Sequence, residues 1–195
     1  MVFGHAAIIL PAVLRVVLPY HWSFYLPLLL LHGSLAIRLL GDARIGLGQI
    51  DAGSHLIQIF DSWAAILDRE AYAHFALPYI ERIVQTIKDR VPTTVFAKGA
   101  NFSIGDIAAL PCDTIGLDWT VPVKFARSQA GDKTLQGNLD PTALYAPGKE
   151  IVKKTQTMLR AFGGHRHIAN LGHGVYPDTD PEAVKIFVNT VKEFR

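Results

Sequence analysis

A single cysteine, Cys112, in 195 residues excludes an internal disulfide and a multi-cysteine zinc site, and it fits a reducing compartment such as the cytoplasm. Net charge is nearly absent as well, because 19 Lys and Arg stand against 17 Asp and Glu, a formal +2. A duplex-binding protein lays a basic stripe against phosphates, so nucleic acid is not an expected partner. The glycine-rich patterns that cradle dinucleotides and triphosphates do not occur, nor do the HExxH zinc motif or a GxSxG nucleophile elbow. Long hydrophobic runs are missing too. The windows Ala6–Leu18 and Phe24–Leu31 are broken by Pro11 and Arg15 and by Pro27, and neither reaches the roughly 18 to 20 apolar residues of a membrane span. No basic residue precedes the first window, as a secretory signal would require. The expectation is a cytoplasmic chain that does not bind membranes.

Half of the residues are hydrophobic and 18% are charged, a composition that supports a buried core and excludes disorder and collagen-like repeats. The distribution is uneven. Residues 1–46 carry only Arg15, Arg38, Asp42 and Arg44 as charged groups, and this apolar segment is set apart from 47–195. From about Gly48 short β-rich runs alternate with amphipathic stretches, the pattern of βα units on a parallel sheet. Five strands are predicted, at Leu56–Phe60, Thr93–Ala97, Thr114–Leu117, Thr134–Gln136 and His167–Leu171.

The intervening segments carry helix signals. Residues 69–90 place Phe75, Ile80, Ile83, Val84 and Ile87 near one face, with a kink expected at Pro78. Pro147 suits a first helical turn and Gly163 a left-handed cap, while Asp180, Pro181 and Glu182 open a last helix. Ile104–Leu110 and Val123–Ala130 predict one or two turns each.

In parallel α/β proteins functional groups gather at the carboxyl ends of strands. Here those ends read Asp61-Ser62-Trp63, Lys98-Gly99, Asp118-Trp119, Asn138-Leu139-Asp140 and Gly172-His173-Gly174. Each carries a polar or ionisable group, which favours a site over plain turns. Taken singly, the residues read more blandly. Asp61, Asp118 and Asp140 suit caps or loop hydrogen bonds. His165 and His167 share a strand face, but spacing fixes no third metal ligand. Cys112 follows Pro111 in an apolar setting and reads as a packed thiol. His173 stands between two glycines that would let a backbone approach a ligand closely.

Six segments together carry a family resemblance: IFDSWAAIL (59–67), FALPYIERI (75–83), VFAKGA (95–100), IGLDWT (115–120), TLQGNLDPTALY (134–145) and IANLGHGVYPDTDPEAVKIFV (168–188). In order and spacing, over about 48–195, they resemble the uroporphyrinogen decarboxylase family. The resemblance implies a (β/α)8 TIM barrel, of which this α/β chain would supply about the last five βα units. It further implies a homodimer and a cofactor-free, metal-free carboxy-lyase of haem biosynthesis that converts uroporphyrinogen III to coproporphyrinogen III. Ser62 and His173 match the family's substrate-contacting serine and histidine, and Phe60 an apolar pocket position.

Asp118 and Asp140 lie in family motifs and receive no catalytic role. The family's arginine-rich MRQAGR-like segment, its GFAGAPWT-like strand and the aspartate that gathers the pyrrole N–H groups have no counterpart in residues 1–46. The expectation is therefore a truncated chain, weakly active or inactive alone, with no catalytic residue assigned. Two other readings stand beside it. One is a corrinoid-dependent methyltransferase of the same superfamily, whose zinc-thiolate site the lone Cys112 does not fit. The other is a non-catalytic remnant, or a subunit that another chain completes.

Overall fold

A computed structural model describes residues 7–9 and 43–194. The chain divides into two compact units after Asp113. In the first, strands β1 (Ala7–Ile9), β2 (Ile57–Asp61) and β3 (Thr93–Ala97) pair in parallel, with Ile8 opposite Ile59 and Phe60 opposite Phe96. β1 is a sixth strand beyond the five predicted. Three residues, Ala-Ile-Ile, do not stand out from an apolar run by periodicity. A helix, α1, covers residues 43–51 and so crosses the boundary drawn at residue 46.

Parallel neighbours cannot be joined by a tight turn, so the path from β2 to β3 runs through helices. The single kinked helix predicted over 69–90 is two helices, α2 (Arg69–Phe75) and α3 (Leu77–Ile87). Pro78 has no N–H, and its ring would clash with the His74 carbonyl four residues back. It is accommodated in the first turn of α3 instead. Asp68 caps α2 by accepting the Ala71 N–H at 2.8 Å.

Tyr72 is fully buried, whereas Phe75, expected on the buried face, is 36% exposed: Tyr72 stands four and eight residues before buried Ala76 and Ile80, the helical spacing of one face, and Phe75 falls outside it. Ile80, Ile83, Val84 and Ile87 are buried as the helical spacing requires, and Ile57 and Ile59 of β2 join them in the core. A short 3-10 turn, Asn101–Ser103, leads into α4 (Ile104–Ala108). Cys112 is buried, with its thiol on the Ile107 carbonyl at 3.6 Å, as a packed thiol should be.

The second unit repeats the scheme. Strands β4 (Thr114–Gly116), β5 (Thr134–Leu139) and β6 (His167–Leu171) pair in parallel, and β5 runs three residues beyond the predicted Gln136. Helix α5 (Val123–Ala130) follows β4, α6 (Gly148–Phe162) follows β5, and α7 (Pro181–Glu193) follows β6. α6 buries Ile151, Thr155, Met158, Leu159 and Phe162, one stripe of a 3.6-residue period.

Gly163 ends α6 at φ 70°, the left-handed cap that a side chain disfavours. Pro147 stands at the N-cap, one position before the first helical residue. Asp180 caps α7 through the Glu182 N–H at 2.9 Å, with Pro181 opening the helix. No helix among the described residues is long and apolar enough to cross a membrane.

Two side chains hold the amino-terminal edge of this second sheet. Arg127 of α5 donates to the carbonyls of Lys133 at 2.7 Å, Arg166 at 3.2 Å and His165 at 3.3 Å, the residues that precede β5 and β6. His167, at the start of β6, stacks on Phe162 with ring centroids 3.6 Å apart and planes 4° from parallel. Its Nε2 lies 2.7 Å from the Gly137 carbonyl, so that nitrogen carries the proton and donates. Burial pushes the His167 imidazole below its ordinary value, because water no longer solvates the cation.

Arg127→Ala should cost about 1 to 2 kcal/mol, the worth of a multiply bonded guanidinium, read as a lower urea midpoint. An unchanged midpoint would mean that Arg127 holds nothing together. His167 is neutral when folded and protonates more readily when unfolded. Stability should therefore be level above about pH 7 and fall as pH drops toward about 5, and His167→Asn should flatten that slope. An equal slope in the variant would assign the acid sensitivity elsewhere.

Candidate functional site

β2 alternates its faces as a strand must. Ile57, Ile59 and Asp61 are buried, while Gln58 and Phe60 are half-buried on the opposite face. Phe60 meets Phe96, its register partner on β3, edge-on at 5.8 Å. Beyond Asp61 the chain turns through half-buried Ser62 and exposed Trp63 into the 3-10 turn Ala64–Ile66. That turn is laced to the end of β3. The Lys98 N–H donates to the Asp61 carbonyl at 2.9 Å, and the Ala65 N–H donates to the Lys98 carbonyl at 3.1 Å. Gly99 makes the lacing possible. Its φ is +71°, and a Cβ there would stand 2.5 Å from the Ala65 Cβ.

Asp61 is 2% exposed and behaves as a loop hydrogen-bonder rather than a helix cap: its Oδ1 accepts the Trp63 N–H at 3.4 Å. Burial raises its carboxyl above the ordinary value, and the Trp63 N–H and the Tyr72 hydroxyl oppose that rise. Tyr72 is raised in turn by its own burial and by the Asp61 carboxylate beside it. Nothing in the residue pattern points to this pairing, because an aromatic at position 72 reads simply as core.

In the second unit the ends of β4, β5 and β6 carry the polar residues. Asp118 is buried and accepts both the N–H and the hydroxyl of Thr120, a loop role. Asn138, buried in β5, donates through Nδ2 to the carbonyls of Asp118 at 2.9 Å and Val121 at 2.8 Å, which fixes the loop that follows β4. Asp140 caps the 3-10 turn Pro141–Tyr145 through the Thr142 N–H at 2.8 Å.

Gly172 has a different use from the one expected. A Cβ there would fall 2.3 Å from the Trp119 backbone nitrogen, so the glycine admits the protein's own chain rather than a ligand. Of the two glycines that flank His173, Gly174 faces open space. His173 itself is exposed, with Trp119 edge-on at 6.4 Å. Beyond it, Tyr145 donates a hydrogen bond to Asp178, which holds that phenol above its usual range. The sequence reading places Asn138 at a strand end without giving it a role, and it does not single out Tyr145. An amide inside the otherwise tightly buried run of β5 is the signal that could have found Asn138.

Phe60 and Ser62 thus stand at the end of β2 in the first unit, and His173 at the end of β6 in the second. Among the described residues no three His, Cys, Asp or Glu side chains gather as a metal site would need. His165 is exposed and lends only its carbonyl, to Arg127. The first unit presents a hydroxyl and aromatic surface at its strand ends, and the second an exposed imidazole.

Comparison with known proteins places this arrangement. A family model described as "Uroporphyrinogen decarboxylase (URO-D)" matches residues 42–194, and one described as "Domain of unknown function (DUF8744)" matches residues 1–59. A uroporphyrinogen decarboxylase from Aromatoleum aromaticum is 45% identical over 152 residues, 74% of this chain and 43% of its own length. One from Homo sapiens is 45% identical over 166 residues, 80% of this chain and 45% of its own. A methyltransferase from Methanosarcina mazei shares the fold with a TM-score of 0.68, at 22% identity over 80% of this chain and 46% of that one. The chain spans less than half the length of the curated relatives it matches. Since the family match runs without a break from the helix before β2 through the whole second unit, the chain belongs to the uroporphyrinogen decarboxylase family.

Proposed function

We propose that this chain supplies the C-terminal part of a uroporphyrinogen decarboxylase, a carboxy-lyase that converts uroporphyrinogen III to coproporphyrinogen III. The observation that carries the reading is the identity of about 45% to relatives so named, over three quarters of the chain. The exposed His173 and half-buried Ser62 at strand ends support it, because the substrate presents eight carboxylates to be held.

The chemistry asks the protein for binding and proton delivery. A proton added to a pyrrole carbon beside an acetate arm makes the ring an electron sink. The bond to the carboxylate then breaks, carbon dioxide leaves, and its electron pair neutralises the ring. A second proton converts the exocyclic methylene to the methyl group of the product, and the proton first added to the ring carbon then leaves, which restores the pyrrole, so that one proton is taken up for each carbon dioxide released. Ser62 donates a hydrogen bond to a carboxylate arm, His173 pairs with another or relays a proton, and Phe60 forms part of the apolar wall. No residue here takes the role of the family's aspartate. The working enzyme is read as a cytoplasmic homodimer. The methyltransferase reading gains nothing beyond the shared fold, since Cys112 is packed in the core rather than presented as a thiolate.

In a complete homologous enzyme, alanine at the positions matching Ser62 and His173 should each lower kcat/KM by about tenfold or more. Unchanged kinetics for both would remove these two residues from the site. The 195-residue chain alone should release little coproporphyrinogen, measured as oxidised porphyrins separated by carboxylate number, because the arginine-rich segment and the aspartate are not among its residues. Robust turnover would show that those groups are dispensable.

A further inference from the structure

Asp61 ends the buried face of β2, the face of Ile57 and Ile59, so its side chain points into the core while Ser62 follows on the outgoing turn. Tyr72 of α2 lies beside it, 0% exposed, its ring held edge-on by Phe102 at 6.1 Å. Asp61 Oδ2 and Tyr72 Oη are both buried without a completed hydrogen bond. The two residues are neighbours, and each bears on the ionisation of the other.

As core packing, this arrangement is poor. A leucine and a phenylalanine in the same two places would bury no polar group at all. Its effect is on geometry. The Asp61 carbonyl is held by Lys98, its Oδ1 by the Trp63 N–H, and its carboxyl group neighbours Tyr72. Ser62 is the residue between the two backbone points so fixed.

We infer that Asp61 and Tyr72 form a buried positioning pair, which fixes the turn after β2 so that the Ser62 hydroxyl is presented to a carboxylate of the substrate. The pair touches no substrate itself and acts through Ser62. The inference rests on the proposed role of Ser62, and it adds a determinant on the far side of the strand, in the helix layer. α2 thereby becomes part of the binding apparatus: a change in its tilt moves Tyr72 and, through Asp61, the serine.

The test uses the full 195-residue chain and two readings. One is amide hydrogen exchange over 57–67. The other is affinity for uroporphyrin, the oxidised, fluorescent eight-carboxylate relative of the substrate. Tyr72→Phe removes one hydroxyl and should speed exchange at 61–66 by about tenfold, leaving α3 and β3 unchanged. It should also weaken uroporphyrin binding to about the level of Ser62→Ala, and adding Tyr72→Phe to Ser62→Ala should weaken it no further, since the pair acts only through that hydroxyl.

Asp61→Asn, which keeps the shape, should reproduce both effects. Losses that add in the double variant, or unchanged exchange at 61–66 in both single variants, would overturn the inference. So would faster exchange throughout the first unit in both, because the pair would then be serving only stability. If the unaltered chain binds uroporphyrin and Tyr72→Phe does not weaken it, the inference fails alone. If the unaltered chain does not bind uroporphyrin, the substrate-facing half of the inference fails, while the proposed function, which does not require this part to bind alone, is judged by the Ser62 and His173 positions of the complete enzyme.

Discussion

Parallel pairing is the constraint from which the rest follows. A strand that must lie beside its predecessor in the same direction cannot return by a hairpin, so each return is made through a helix. Strand, loop, helix and loop then repeat, and every strand of a sheet sends its carboxyl end to one edge. In the first unit that edge collects Asp61, Ser62, Trp63 and Lys98, and in the second Asp118, Trp119, Asp140 and His173. The opposite edge receives Arg127 and His167, which bond carbonyls and stack on a core ring. Residues of similar chemistry thus have different duties according to the end of the strand on which they fall.

The close approaches at the carboxyl edge are backbone affairs. Gly99 admits Ala65, and Gly172 admits the nitrogen of Trp119. Asn138 reaches two carbonyls of the loop after β4 with one amide. These contacts set the paths of the loops before any side chain meets a ligand. The hydroxyl and the imidazole therefore sit on chain segments whose positions are already determined.

Much of this architecture was legible in the sequence where local physics decides. Five strands, the cap at Asp180, the left-handed Gly163 and the interruption at Pro78 are written in β-branched runs, a short carboxylate and the dihedral limits of glycine and proline. What escaped depends on partners distant in sequence. β1 is a strand because β2 lies beside it. The same holds for the candidate site. Motifs propose Ser62, His173 and Phe60 for it, but the use of Gly172 for the chain's own backbone, and the meeting of Tyr72 with Asp61, arise from contacts that no spacing encodes.

The Arg127 clamp has a consequence for how such a sheet can change over time. Three carbonyls at the amino-terminal edge answer to one guanidinium, while the exposed loop 173–178 at the other edge bears no comparable restraint from it. Restraint and exposure are thereby assigned to opposite rims of the same strands. A loop at the exposed rim can be lengthened or rewritten without loosening the floor beneath it, so a scaffold of this kind can change its loops at little cost to its own persistence.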